Sequence, residues 1–120
     1  MRRNKYNAVK VKCEHCGFTH DSKMEAAYCT LLHLEMRSDD TDIVHIDVFP
    51  VVTLGKNIKW KLDFCVWRAG PLAPYIQYCE FIDVKGQVTQ DFKLKRKLFE
   101  NNHPATLKVV TRKGKKWVEM

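Results

Sequence analysis

The spacing of apolar residues predicts a helix near the start of the chain. Between Met24 and Leu32, apolar side chains recur at the three- and four-residue spacing of one helix face. Ser22 is a favourable N-cap, and Glu25 stands three residues later, as in a capping box. We therefore predict a helix over residues 22–36. A tight turn at Cys13-Glu14-His15-Cys16-Gly17, between two short strands, precedes it.

From residue 43 onward the pattern changes to the two-residue period of strands. Residues 43–53 are rich in β-branched side chains, and Pro50 marks an edge or a bend. Residues 58–67 alternate between an apolar face and a polar face that carries Asp63. A third strand is predicted over residues 75–85.

A second helix and a final strand or hairpin complete the predicted fold. The helix covers residues 90–100, and the hairpin joins residues 107–111 to residues 116–119. The order of helix, three strands, helix and hairpin indicates an α+β fold, with one mixed sheet flanked by helices. A chain of 120 residues is long enough for one domain and too short for two ordinary ones, so we expect a single domain over residues 1–120.

The charge balance indicates a polyanionic partner. Lysine and arginine number 21 against 14 acidic residues, a net charge of +7. The apolar runs are too short to span a bilayer, and no secretory signal follows Met1, so we expect a cytoplasmic protein with no membrane partner. In a reducing compartment, five cysteines indicate metal binding or buried thiols. We expect Cys65 and Cys79 to be buried thiols.

Acidic residues on the predicted strands suggest a site for a hard divalent cation. Asp83 and Lys85 lie two apart and share a strand face, and Asp63 can converge on them if the two strands pair. Two carboxylates and the Val84 carbonyl suit Mg²⁺ or Mn²⁺, and Lys85 could orient an attacking water. Glu25 could add a carboxylate. The alternatives are a surface ion pair for Asp83 and Lys85 and a capping role for Glu25.

The order of these motifs resembles the PD-(D/E)xK nuclease superfamily, in particular small phage-encoded endonucleases and Holliday-junction resolvase-like proteins. The resemblance covers about residues 5–110. It implies a restriction-endonuclease-like αβββαβ core, Glu25, Asp63 and Asp83 as metal ligands, and Lys85 as the catalytic lysine. The matching segments are Lys5-Tyr6-Asn7-Ala8, residues 18–26, Leu62-Asp63-Phe64, Asp83-Val84-Lys85-Gly86 and residues 92–99.

The same resemblance implies hydrolysis of DNA phosphodiester bonds that leaves a 5′-phosphate and a 3′-hydroxyl. Nucleases of this type often act as homodimers on branched DNA, as in the Holliday-junction step of DNA recombination. If phage-encoded, the protein would work in the host cell cytoplasm. The sequence departs from the superfamily at Phe49-Pro50, where a Gln-Pro pair is frequent. Asp47 could be a further ligand, but we interpret it as a surface residue.

The cysteines and histidines of the N-terminal part have the spacing of a zinc site. Cys13 and Cys16 flank a turn, and Cys29 and His33 lie four apart on one helix face. This Cys3His spacing resembles the small ββα zinc fingers, with cysteine at the first histidine position. We predict a structural Zn²⁺ in a knuckle over about residues 9–36, with His15 and His20 as rival ligands to His33.

Clusters of basic residues are candidate contacts for the DNA backbone. A non-catalytic zinc-finger regulator that binds DNA would explain the charge and the Cys/His spacing equally well, and a nuclease fold that has lost its activity is a second alternative. The predicted DNA-binding residues are Arg2, Arg3, Lys93, Arg96, Lys97, Arg112 and Lys113.

Overall fold

The structure, a computed structural model, describes residues 9–70 and 77–120. The chain divides into two compact units, Met1–Thr41 and Asp42–Met120. The described part of the first unit is a short hairpin followed by a helix. Its elements are β1 (Val11–Lys12), β2 (Thr19–His20) and α1 (Lys23–Met36).

The helix predicted over residues 22–36 is confirmed. The Ser22 Oγ accepts a hydrogen bond from the Glu25 amide at 3.1 Å, which satisfies one of the free N–H groups at the start of α1. This part of the capping box forms as the sequence predicted.

The second unit contains seven strands and one helix among its described residues. We number them β3 (Ile43–Val48), β4 (Val51–Gly55), β5 (Ile58–Lys61), β6 (Phe64–Ala69), β7 (Gln77–Val84), α2 (Gln90–Asn102), β8 (Thr106–Lys113) and β9 (Lys116–Glu119).

Five of these strands form one mixed sheet in the order β3-β6-β7-β8-β9. The pairs are antiparallel except β7 and β8, which run parallel because α2 carries the chain back across the sheet. The described residues therefore have the mixed α+β architecture with two helices that the sequence indicated. The predicted final hairpin is confirmed as β8 and β9.

Residues 43–53 and 58–67 do not form the two continuous strands predicted; each is divided in two. The β3–β6 and β4–β5 ladders keep the same register on both sides of a bend, with Val48 opposite Phe64 and Val51 opposite Lys61. Across the bend, the Phe49 amide donates to the Asp63 carbonyl at 3.0 Å and the Leu62 amide donates to the Pro50 carbonyl at 2.9 Å. The result is one bent hairpin, with Phe49 in the left-handed region at φ 59°.

The β4–β5 end of this hairpin packs against α2. Trp60 contacts Phe92 and Phe99 edge-on, with ring centroids 5.7 and 6.3 Å apart, and Phe81 of β7 contacts Phe99 in the same way. Phe99 is fully buried. This apolar cluster fixes α2 over one face of the second unit, the face that carries Phe81 of β7.

The C-terminal end of α2 is tied to β4 by two side chains. Asn102 Nδ2 donates to the Leu54 carbonyl at 3.2 Å, and His103 Nε2 lies 2.6 Å from the Thr53 carbonyl. These contacts hold the tip of the bent hairpin against the helix.

Several predictions fall outside the described residues. Arg2, Arg3, the segment Lys5-Tyr6-Asn7-Ala8 and the first two residues of the strand predicted over 75–85 belong to this group. Neither α1 nor α2 has the length and apolar character needed to cross a bilayer, and these are the helices found in residues 9–70 and 77–120.

Candidate metal centre and acidic pair

A compact group of soft ligands lies in the first unit. The ligand atoms of Cys13, Cys16, His20 and Cys29 are all within 4.8 Å of one another. Cys13, His20 and Cys29 are buried and Cys16 is half-buried. Three thiols and one imidazole are donors that a metal such as zinc prefers.

The turn between β1 and β2 is shaped to bring these groups together. The Gly17 amide donates to the Cys13 carbonyl at 2.9 Å, and Gly17 takes φ 79°, a left-handed conformation that costs glycine little. The Phe18 amide points at the Cys16 sulfur at 3.4 Å. The hairpin register then places His20 opposite Val11, beside the turn.

Two distances within the group are close to those expected for tetrahedral zinc ligands. With Zn–S near 2.3 Å and Zn–N near 2.05 Å, ligand atoms on a tetrahedron are separated by about 3.8 Å for S–S and about 3.5 Å for S–N. The Cys13 and Cys29 sulfurs are 3.4 Å apart, and Cys16 Sγ lies 3.5 Å from His20 Nε2. A small adjustment of side-chain torsions would close a Cys3His site.

The thiols influence one another's ionisation. Burial raises the pKa of the Cys13 thiol, but hydrogen bonds from the Cys16 backbone, the Cys29 thiol and the His15 backbone outweigh burial and lower the pKa to about 7. Burial and the neighbouring Cys13 and Cys16 raise the pKa of Cys29. Three thiolates so close together need a cation to stabilise them.

The histidine in this group is His20, one of the two alternatives to His33 as the fourth ligand, and the prediction of His33 in that position is wrong. The His33 Nδ1 atom lies 2.8 Å from the Cys29 carbonyl and 3.5 Å from the Cys29 sulfur, but His33 is outside the four-residue group. Its ring stacks on His15, with centroids 6.1 Å apart. The i, i+4 spacing correctly predicts a contact between His33 and Cys29. The position of His20 depends on the pairing of β1 with β2, which helix periodicity cannot predict.

Glu25 lies beside this group. Its Oε2 atom is 3.4 Å from His20 Nδ1 and 3.4 Å from the Asp21 amide. The carboxylate thus has partners from the β2–α1 connection, a pairing the sequence analysis missed. The role of Glu25 as a Mg²⁺ ligand stays a prediction.

In the second unit, Asp63 and the end of β7 come together at the bend of the hairpin. Phe64 is opposite Ile82 in the β6–β7 ladder, and continuing that register places Asp63 opposite Asp83. Asp63 Oδ2 accepts a hydrogen bond from the Val84 amide at 2.7 Å. The contact between Asp63 and β7 is therefore made by the Val84 amide. The role of the Val84 carbonyl as a metal ligand stays a prediction.

Asp83 and Lys85 form a close ion pair on the α2 side of the sheet. Lys85 Nζ lies 3.1 Å from Asp83 Oδ2 and 4.9 Å from the centre of the Phe92 ring. The Asp83 side chain is 4% exposed, against 32% for Lys85. The interpretation as a solvated surface pair is wrong for Asp83, because its carboxylate is removed from water.

Asp47 and the strand cysteines lie near this site but are differently engaged. Asp47 contacts His45 Nε2 at 2.7 Å and accepts from Trp67 Nε1 at 3.0 Å, on an exposed surface as expected. Cys65 is buried, as expected, and burial with the neighbouring Cys79 and Asp47 raises its thiol pKa to about 12. Cys79 is half-buried, so the expectation of a buried thiol holds only for Cys65.

The described basic candidates lie on exposed parts of α2 and the β8–β9 hairpin. Lys93 and Lys97 are exposed and line one open groove along α2 with Arg96. Arg96 is engaged with Glu100 at 2.9 Å and with the Met120 carbonyl at 3.2 Å. Arg112 and Lys113 are exposed, and the Arg112 guanidinium lies 5.4 Å from the Trp117 ring centre.

The fold and the site thus define a mixed α+β protein with a Cys3His cluster near its N-terminus and two aspartates, Asp63 and Asp83, close to the end of β7. The sequence matches the family described as "Protein of unknown function (DUF1064)" over residues 3–118. The chain belongs to this family. No curated protein and no solved structure matches it.

Proposed function

We propose that this protein is a Mg²⁺- or Mn²⁺-dependent DNA endonuclease whose centre contains Asp63, Asp83 and Lys85. The observation that carries the proposal is the ion pair between the buried Asp83 carboxylate and the half-buried Lys85. The residue between them, Val84, donates its amide to Asp63. A divalent cation between Asp63 and Asp83 would reduce the repulsion between their carboxylates, in addition to the contact of Asp83 with Lys85. Hard carboxylate oxygens are the donors that Mg²⁺ prefers.

The sheet topology supports the restriction-endonuclease-like fold that the superfamily resemblance implies. Strands β3, β6 and β7 form an antiparallel meander, and α2 then leads to the parallel strand β8. This order reproduces the βββαβ part of the expected αβββαβ core. Asp83 lies in β7, and Asp63 lies at the bend between β5 and β6.

Each residue of the acidic site has a distinct proposed role. Asp63 and Asp83, with the Val84 carbonyl, would hold the metal. When bound, the metal would polarise the phosphate and favour formation of a hydroxide nucleophile. Lys85, which shares a strand face with Asp83, would stabilise the negative charge that develops on the phosphate.

The basic residues would hold the phosphate backbone of the substrate. These residues are exposed and positively charged, so we propose contacts with phosphate groups: Lys93, Lys97, Arg112 and Lys113. Branched DNA, cut by a homodimer with one centre on each strand, is the substrate that the resemblance favours. Products would carry a 5′-phosphate and a 3′-hydroxyl.

We also propose that zinc occupies the Cys3His cluster and is structural. Three thiolates and one imidazole complete a tetrahedral shell and leave no position for substrate or water. A closed site of this kind contributes directly to folding free energy. The metal would fix the turn and the helix α1 to each other, because Cys13 and Cys16 lie on the turn and Cys29 lies on α1.

Cleavage of a panel of linear, flapped and four-way DNAs, with and without Mg²⁺, tests the nuclease proposal. Asp63→Asn and Asp83→Asn should each reduce Mg²⁺-dependent cleavage by about 100-fold or more while leaving DNA binding largely intact, because the metal ligands are lost and the basic surface is not. Lys85→Ala should lower the turnover rate. The Mg²⁺ concentration needed for half-maximal activity should change less than the turnover rate does.

Asp39→Asn is the matched control, since Asp39 is exposed in the loop after α1 and the variant makes the same charge change. Full activity in both strand variants would contradict the proposed centre. DNA binding by the wild-type protein, with no cleavage in Mg²⁺ or Mn²⁺, would favour the non-catalytic zinc-containing DNA-binding protein or an inactive nuclease fold.

A further inference from the structure

His20 is placed between the cysteine cluster and a carboxylate. Its side chain is fully buried, with Nε2 3.5 Å from Cys16 Sγ and Nδ1 3.4 Å from Glu25 Oε2. The Glu25 side chain is only 10% exposed. The two ring nitrogens therefore face two chemically different partners within one buried site.

We infer that His20, through Nε2, is the fourth zinc ligand and that Glu25 is a positioning residue that accepts the Nδ1 proton of His20. This inference rests on the proposal that the Cys3His cluster binds zinc. It assigns to Glu25 a role at the zinc centre, different from the Mg²⁺-ligand role that the superfamily resemblance implies.

The chemistry of imidazole requires such a partner. A histidine that binds metal through Nε2 keeps its proton on Nδ1, and that N–H needs an acceptor when water is excluded. A carboxylate is the strongest acceptor available and makes the ring a better electron donor to the metal. Glu25 is suited to this role because it lies in the first turn of α1, where free amides and the helix dipole stabilise its charge.

His33 differs in that one ring nitrogen, Nδ1, faces both the cysteine sulfur and a backbone carbonyl. Its Nδ1 atom is 2.8 Å from the Cys29 carbonyl, which fixes the ring against its own helix. The side chain is half-buried and stacks on His15. His33 is consequently the matched control for His20: same residue type, same unit, and a similar 3.5 Å approach to one cysteine sulfur.

Replacement of each histidine by cysteine identifies the ligand. In protein loaded with Co²⁺, His20→Cys should replace the single nitrogen ligand by a fourth sulfur and move the visible d–d bands to longer wavelength, while His33→Cys should leave them unchanged. His20→Ala should weaken zinc binding in competition with a chelator, and His33→Ala should not. A band shift in His33→Cys with none in His20→Cys would overturn the assignment of His20.

Glu25→Gln tests the positioning role. Loss of an outer-shell carboxylate typically weakens metal binding about 10- to 100-fold, so we expect a loss of that size, with none in Glu35→Gln on the exposed part of α1. In long-range ¹H–¹⁵N spectra, Glu25→Gln should shift the Nδ1–H resonance of His20 while Nε2 keeps its metal-bound shift. Ser22→Ala removes the helix cap but not the carboxylate, and should leave that resonance in place.

The ways in which these proposals can fail are distinguishable. Wild-type protein purified without chelator that contains no zinc would overturn the metal proposal itself. A second outcome is a wild-type protein with about one zinc per chain and a Glu25→Gln variant with unchanged zinc affinity and an unchanged His20 resonance. That outcome would limit Glu25 to helix capping and overturn only the role assigned to Glu25.

Discussion

Asp47 illustrates how a single carboxylate can be stabilised without a metal. The hydrogen bond from Trp67 lowers the pKa of Asp47, burial opposes this, and the neighbouring His45 lowers the pKa further. Both of its oxygens have partners within 3.0 Å. The contacts with His45 and Trp67 therefore account for the position and charge of the Asp47 carboxylate. The proposed acidic site does not need Asp47 as a ligand.

The lowered pKa of Asp47 predicts a pH-dependent contribution to stability. Because the folded pKa lies below the usual value of 3.8, the ionised form stabilises the folded state above about pH 4, and that contribution is lost as the pH falls through the folded pKa. Asp47→Asn should therefore lower the melting temperature at about pH 7, and the difference from wild type should shrink towards about pH 3. Asp39→Asn is the control. A difference that grows as the pH falls would contradict the assignment.

His20 and Glu25 show which residue-level features the sequence could not supply. Both were recognised as candidates, His20 as a rival ligand and Glu25 as a cap or a Mg²⁺ ligand. Their contact depends on β2 ending at His20 and α1 beginning at Lys23, so that the turn between them brings Glu25 back to the ring. No fixed sequence spacing encodes that geometry, whereas the i, i+4 contact of Cys29 and His33 follows from helix periodicity alone.

At the level of elements, the helices were predictable because their first turns are specified locally. The Thr89 Oγ1 accepts from the Phe92 amide at 3.1 Å, as Ser22 does for Glu25. Thr89→Ala should lower the free energy of unfolding by about 1 kcal/mol, measured by urea denaturation. Thr89→Ser keeps the hydroxyl and should retain most of the stability, and Gln90→Ala at the next, exposed position should change little. Equal losses in all three variants would show that the cap is not responsible.

The bent hairpin was only partly predictable. Pro50 signalled an interruption, and the structure has one there, but residues 58–67 continue to alternate through the break at Leu62 and Asp63. The alternation persists because the strand register is the same on both sides of the bend. The alternation of apolar and polar residues therefore does not reveal where the hairpin changes direction. Beyond the bend, Trp60 packs against Phe92 of α2, a contact between residues far apart in the sequence that no local pattern reveals.

Across the whole molecule, the net charge of +7 should make the proposed DNA binding strongly salt-dependent. If Lys93 and Lys97 each contact a phosphate, the variant with both changed to Gln should reduce the slope of log K against log salt by about 2, at about 0.9 per contact. The matched control changes the exposed Lys56 and Lys59 of the β4–β5 hairpin to Gln. Fluorescence anisotropy over a salt series measures both, and an equal reduction in the control would exclude a specific contribution from α2.

The tie between α2 and the tip of the bent hairpin has a consequence for residues distant from the acidic pair. Asn102 and His103 hold the Leu54 and Thr53 carbonyls, while Asp63 lies at the bend of the same hairpin. The hairpin crosses the bend in one register, so we expect a displacement of its tip to reach Asp63 through the paired strands. We therefore expect substitutions at the C-terminal end of α2 to alter the Mg²⁺ affinity proposed for Asp63 and Asp83, although neither carboxylate is changed.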